Sequence, residues 1–183
     1  MTHTARPGLR SAWTTTPASY DDPGVQQLLL GLHDEQRSIY GFADDPADTP
    51  VFQFAPPCGL FLLVQDEHGN ALGCGGWRFL DPRTAEIKRM YVRPEARAQS
   101  LGREILLRLE ADAKRRGATC TQLETGVANT AALALYRAQG YMPITSYRPD
   151  RNPDVNRALR KDLRARVAAQ SSNSNSRSKT TGQ

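Results

Sequence analysis

The segment from Ala85 to Glu110 constrains the fold more than any other part of the chain. AEIKRMYV reads as a strand, and it runs straight into RPEARAQS, a short basic turn. The turn opens into an amphipathic pattern, with Leu101, Ile105, Leu109 and Ala113 on one helical face and Gly117 as the stop. A strand, a turn and a long helix in that order predict a crossover unit, with the helix packed back over a sheet. The turn also points to a chemistry. The first turn of a helix has unpaired N–H groups and the positive end of the helix dipole, and anions bind there. A pyrophosphate needs several converging N–H groups and small residues that let the backbone approach. Arg97-Ala98-Gln99-Ser100-Leu101-Gly102 fits that need, and Arg97 and Arg103 add positive charge. An ordinary strand–helix turn with surface arginines is the competing reading of the same residues.

The rest of the chain supplies the other layers of such a unit. Residues 9–16 are a candidate first strand. From Val25 to Tyr40, Val25, Leu28, Leu29, Leu32 and Ile39 fall at helical spacing after Asp21-Asp22-Pro23-Gly24. Residues 41–57, rich in Asp, Pro and Phe, predict an irregular loop. GLFLLVQ (59–65) and ALGCGGWRFL (71–80) flank the turn DEHGN as a hairpin, and Thr84–Val92 is the central strand. A strand at 120–125 and a helix at 129–139, stopped by Gly140, follow. Strands at 141–147 and 158–163 close the pattern. The order is strand, helix, three antiparallel strands, helix, strand, helix, two strands, without internal repeats. It predicts an α/β fold with a mixed central sheet.

Size and charge narrow the possibilities. The 183 residues suit one domain, expected at 1–165, with a polar and basic tail at 166–183. AAQSSNSNSRSKTTGQ offers too little apolar surface to offset the entropy of ordering, so the tail is expected to be disordered. The net charge of +5 belongs to the end of the chain: residues 1–150 carry 16 Lys+Arg against 17 Asp+Glu, and residues 151–183 carry 8 against 2. The tail lacks interleaved aromatics and dense Lys/Arg, which argues against nucleic acid as a partner. No apolar run approaches the roughly 18 residues of a membrane helix. The N-terminus lacks the apolar core of a secretion signal, so a cytoplasmic protein is expected. Cys58, Cys74 and Cys120 form no C-x-x-C, and His3, His33 and His68 form no H-x-x-x-H, so no metal is expected.

AEIKRMYVRPEARAQSLGREILL resembles the central strand–loop–helix of the GNAT superfamily of N-acetyltransferases. The signature of that family there, Gln/Arg-x-x-Gly-x-Gly/Ala, is matched as Arg97-x-x-Ser100-x-Gly102, with Ser100 in place of the first glycine and Ala98 in place of another frequent one. Both substitutes are small, and they would serve where φ stays negative; a serine there also suits a helix cap. A second segment, LETGVANTAALALYRAQGYMPI, resembles the later GNAT loop and helix. The likeness covers about Ala71 to Ile144.

The resemblance implies a GNAT fold, acetyl-CoA as co-substrate and direct transfer of acetyl to an amine. It implies a cofactor site of Met90, Tyr91, Val92, Arg97, Ala98, Gln99, Ser100, Leu101, Gly102, Arg103, Asn129, Ala132 and Tyr136. Met90 and Val92 would pair the pantetheine arm, with a backbone N–H near them polarising the thioester carbonyl. Tyr136 is the implied acid for the leaving thiolate. Glu86, with Glu124 as its rival, is the implied base. The loop bearing Asp34, Glu35, Asp44, Asp45 and Asp48 suggests an acidic field for a cationic amine, or simply a solvated loop. Its Tyr40, Phe42, Phe52 and Phe54 would wall a pocket or pack on the sheet. Trp77 is a candidate for the acceptor side, and Cys74 has no histidine placed to make it a nucleophile. A small-molecule or amino-acid-like amine is the leading acceptor. A protein or peptide acceptor and a non-catalytic CoA-binding module are the alternatives. Family members often pair through sheet edges, which leaves room for a homodimer.

Overall fold

A computed structural model describes residues 13–149 and 151–164. Seven strands form one sheet in the order β1-β2-β3-β4-β5-β7-β6: β1 is Trp13–Pro17, β2 Gly59–Asp66, β3 Ala71–Asp81, β4 Thr84–Val92, β5 Cys120–Gly126, β6 Met142–Ile144 and β7 Asn156–Asp162. β4 and β5 are parallel, and the other neighbouring pairs are antiparallel. The helices are α1 (Pro23–Tyr40), α2 (Leu101–Arg115) and α3 (Thr130–Ala138). The predicted element order, mixed sheet and α2 crossover are all present. The expected strand at 9–16 is seen only from Trp13, and its earlier residues, like the tail at 166–183, lie outside the described residues. The loop at 41–57 carries two short 3-10 turns, Pro46–Asp48 and Val51–Phe54.

Period two in β2 divides the core between the faces of the sheet. Phe61 and Leu63 meet Val25, Leu28 and Leu29 of α1. Leu62 and Val64 meet Ile105, Leu106 and Leu109 of α2. Each large side chain so buried contributes about 1.5–3 kcal/mol. Helix α1 starts where Asp22 accepts from Gly24 N at 2.8 Å and Pro23 takes the first position. Helix α2 lies close on β3 because Gly75 has no side chain: a Cβ there would stand 2.6 Å from Met90 Sδ and 2.9 Å from Ile105 Cγ2.

Trp77 does not line an acceptor site. It is fully buried on the α2 face, where Nε1 donates to Asp112 Oδ2 at 3.0 Å. Asp112 also accepts from Arg116 Nε at 2.9 Å, so the indole anchors the end of α2.

Two irregularities of β4 shape the site. Against β3, Lys88 stands opposite Gly76 and Tyr91 opposite Cys74, so β4 carries one extra residue. The bulge includes Arg89, whose φ is +58°. Against β5, pairing ends after three positions, the last being Glu86 with Gln122. From there the two parallel strands part.

Candidate active site

The parted strands leave a cavity of about 610 Å³. It runs from the N-terminus of α2, past Tyr136 of α3, to Glu86, Glu124 and Arg151. All of the predicted cofactor set lines it except Gln99.

At one end lies the anion cradle. The condition of negative φ under which Ala98 and Ser100 would serve is not met: Ala98 has φ +62° and Ser100 has φ +65°. A left-handed residue at alternate positions turns backbone N–H groups toward one concavity, which is the geometry of an anion nest. Ser100 occupies the N-cap position of α2, but its side chain caps nothing. The first N–H groups of α2 are therefore left to a ligand. Arg97 is not free to join them. Its Nε donates to Val92 O at 3.0 Å and its Nη2 pairs with Glu35 at 2.5 Å. The Val92 carbonyl, expected to pair a ligand, already has that donor.

In the middle stands Tyr136, which is 5% exposed. Its ring packs against Tyr141 with centroids 5.6 Å apart, and burial pushes its phenol pKa well up. Among the described residues its hydroxyl has no hydrogen-bond partner. A buried phenol that stays protonated and is unspent on protein can serve a ligand atom. Asn129 was expected inside the helix; it is instead its N-cap, with Oδ1 accepting from Ala132 N at 3.2 Å. Its amide NH₂ is what remains for a ligand.

At the far end the two candidate bases differ. Glu86 is 2% exposed, and both of its oxygens are occupied. Arg78 Nε donates to Oε2 at 2.8 Å and Tyr147 Oη to Oε1 at 2.8 Å. Burial, then the charge and hydrogen bond of Glu86, push the Tyr147 phenol up. Glu124 is held by one oxygen: Ser146 Oγ donates to Oε1 at 2.5 Å. Its Oε2 is buried without a hydrogen-bond partner, and so is Arg151 Nε, 3.7 Å away. Cys74 is fully buried, and burial pushes its thiol up, so it stays an inert core residue.

Three of the five acidic residues of that region are engaged within the protein. Glu35 is paired with Arg97, Asp45 caps Ala47, and Asp44 is paired with Arg151. Partial burial works against the charge of Asp44, but the Arg151 hydrogen bond and the charges of Arg151, Lys88 and Arg89 outweigh it and hold its pKa below the ordinary value. Arg89 donates to Asp44 O at 3.3 Å and to Asp45 O and Thr49 Oγ1 at 3.2 and 3.1 Å, tying the loop to the bulge. Tyr40 closes the roof. Ala128 N donates to its hydroxyl at 3.2 Å, and a Cβ on Gly126 would stand 2.0 Å from that oxygen. Phe42 lines the cavity beside Tyr40, Phe54 packs into the α1-face core, and Phe52 is exposed.

Sequence reasoning missed Lys88, Arg89, Arg148 and Arg151, all of which line this end. Lys88 alone had a legible cue, being two residues from Glu86 on one strand and hence on its face. Burial holds the Lys88 ammonium down to about 8, with the charge of Glu86 opposing and those of Arg78, Arg148 and Arg89 assisting. Among the described residues, no group of three or more His, Cys, Asp or Glu is arranged to hold a metal ion, and no helix is long and apolar enough to cross a membrane.

Comparison with known proteins gives a consistent picture. The profile of the Acetyltransferase (GNAT) family matches residues 29–141. An uncharacterized N-acetyltransferase of Schizosaccharomyces pombe is 34% identical over 113 residues, 61% of this chain and 69% of that protein. An IAA acetyltransferase of Azospirillum brasilense is 39% identical over 93 residues, 49% of this chain and 61% of that protein. Among solved structures, an acyl-CoA N-acyltransferase from Klebsiella pneumoniae subsp. pneumoniae superposes with a TM-score of 0.72 at 28% identity, covering 84% of this chain and 99% of that one.

Proposed function

Since the chain belongs to the GNAT acetyltransferase family, a family of enzymes that use acetyl-CoA, we propose that it transfers acetyl to the amine of a small molecule or amino-acid-like acceptor by direct attack. The observation that carries this reading is the pair of unspent polar atoms in one cleft, Tyr136 Oη and Glu124 Oε2, beyond an open helix N-terminus.

The cleft fits the co-substrate at its anionic end. Backbone N–H groups of residues 98–103, two of them set by left-handed residues, suit a pyrophosphate, and Arg103 adds charge. When bound, acetyl-CoA supplies an activated acetyl thioester. The edge of β4 beyond Glu86 has lost its β5 neighbour, so its N–H groups are available to polarise a carbonyl. Tyr136 holds the proton at Oη for the departing sulfur. Glu124 Oε2, rather than Glu86, takes the proton from the amine, because both Glu86 oxygens are occupied. Glu86 instead holds Arg78 and Tyr147 in position. Each such proton transfer is typically worth 10²–10⁴ in rate. Tyr40, reaching from α1 to the end of β5, and the loop tied down by Arg89 and Arg151 crowd the acceptor end. That favours a small acceptor over a continuous peptide.

The test is thiol release from acetyl-CoA against an amine panel, with calorimetry of acetyl-CoA binding. We expect micromolar binding, turnover of at least one amine, and a tenfold or greater rate loss in Tyr136→Phe with affinity held within threefold. Binding without thiol release from any amine refutes the transferase reading in favour of a CoA-binding module. No binding at millimolar acetyl-CoA refutes the cradle.

A further inference from the structure

The acceptor end has a charge balance opposite to that of its loop. Lys88, Arg89, Arg148 and Arg151 line it against Asp44, Glu86 and Glu124. Of those carboxylates, Asp44 is spent on Arg151 and Glu86 on Arg78 and Tyr147. A simple cationic amine entering here meets more positive than negative charge and has only Glu124 to receive it.

Two cationic groups there keep hydrogen-bonding capacity unused, although each has an ion-pair partner, Lys88 in Glu86 and Arg151 in Asp44. Lys88 Nζ is 3.9 Å from Glu86 Oε1, beyond hydrogen-bond reach, and among the described residues it makes no hydrogen bond. Arg151 Nε is buried without a partner, and its side chain is 17% exposed. Facing it across 3.7 Å is Glu124 Oε2, also buried and unpartnered, on a side chain that is 9% exposed. Left so, each orphan costs on the order of a lost hydrogen bond. A donor and an acceptor of opposite charge, side by side and too far apart to satisfy each other, match a ligand that carries both charges on neighbouring atoms.

We propose that the acceptor is an amino acid, its carboxylate held by Lys88 Nζ and Arg151 Nε while its amine is presented to Glu124 Oε2. This rests on the transferase reading above and names its substrate class. A diamine or polyamine places a second positive charge where these cations lie, and an amino-acid amide leaves them without an anion.

The experiment uses the full chain with acetyl-CoA, and compares thiol release for each of the common amino acids with release for its primary amide and its decarboxylated amine. At least one acid is expected to exceed both counterparts tenfold or more in kcat/KM. In Arg151→Gln that ratio falls to twofold or less, and Arg151→Lys restores part of it. Melting curves of both variants show whether they fold, and Lys88→Met provides an independent second variant with the same expected loss of ratio. Amides or decarboxylated amines consumed as fast as the acids overturn the proposal and leave the transferase reading intact. If no amine releases thiol, the transferase reading fails instead. The site is then read by melting temperature with coenzyme A and each acid or its amide. A rise specific to an acid supports the zwitterion site, and none overturns it.

Discussion

Ser100→Gly offers a test in which the sign of the effect decides. Ser100 sits at φ +65° and ψ 9° before α2, in the left-handed region. For a residue with a Cβ that conformation costs roughly 1–2 kcal/mol, and glycine escapes it. Glycine also loosens the unfolded chain, which returns about 0.4–1 kcal/mol. Nothing else is lost, because the serine caps no N–H group and is exposed. The net expectation is stabilisation of about 0.5–1 kcal/mol. For a chain of this size that is about 1–4 °C in Tm. Ala98→Gly, at φ +62°, should act alike, and the double variant measures how strongly these two neighbours in one turn are coupled. Urea denaturation with a common m-value measures all three. Calorimetry should find acetyl-CoA affinity within threefold of wild type, because the cradle is already in the conformation that glycine prefers. Had φ been negative, each glycine would destabilise. A loss of 0.5 kcal/mol or more in either single variant therefore refutes the left-handed assignment and the nest built on it.

Lys88→Met should stabilise the protein at pH 7 and lose that advantage at high pH. The folded-state pKa of about 8 lies below the ordinary 10.5, so the unfolded state binds more protons between those values and stability rises with pH across that window. The shift corresponds to roughly 3 kcal/mol at most, fully present below pH 8; a wild-type-minus-variant difference that is flat from pH 7 to 10.5 contradicts it. Glu86→Gln removes the anion from Arg78 and Lys88 inside the protein and should cost about 3–5 kcal/mol by urea denaturation; a loss below 1 kcal/mol would mean that this carboxylate does not hold the site together. Gly126→Ala should push Tyr40 off Ala128 N, costing about 1 kcal/mol in stability while raising the acceptor KM severalfold. An unchanged KM would show that the roof is not part of the site.

Much of the fold was legible because local patterns and packing agree. The spacing of Leu101, Ile105 and Leu109 produced α2, and the unbroken apolar run in GLFLLVQ produced a strand buried on both faces. Both ends of α1 were written in local chemistry, Asp22-Pro23 at the start and Gly41 at the end. The cradle and Tyr136 were each read from a local strand–turn–helix segment, β4 to α2 for one and β5 to α3 for the other. What escaped depends on contacts far apart in sequence. Arg151 meets Asp44 and Glu124 across loops that carry no periodicity, and the saturation of Glu86 needs Arg78 from β3 and Tyr147 from the loop between β6 and β7. Positive φ at Ala98 and Ser100 escaped because residue identity argued for the opposite; the surrounding structure imposes it.

The bulge at Arg89 shows how one extra residue assigns chemistry to the two faces of β4. Under strict alternation, Glu86, Lys88, Met90 and Val92 would share a face. The extra residue breaks that series, as a one-residue slip does in any strand. Glu86, Lys88 and Tyr91 then belong to the α1 face, where Tyr91 packs with Cys74. Met90 and Val92 move to the α2 face, against the core that holds Ile105. The groups that would take the amine are thus on one side of the sheet and the helix N-terminus that would take the pyrophosphate is on the other. A closed sheet would keep the two apart. Pairing between β4 and β5 stops at Glu86, so the cleft passes through the sheet at the point where the faces exchange. The guanidinium of Arg89 is bound to the loop that closes the acceptor end. The strained residue that reverses the faces therefore also holds the roof over them, and the opening of the sheet and the shape of the acceptor end follow from a single departure from regular backbone.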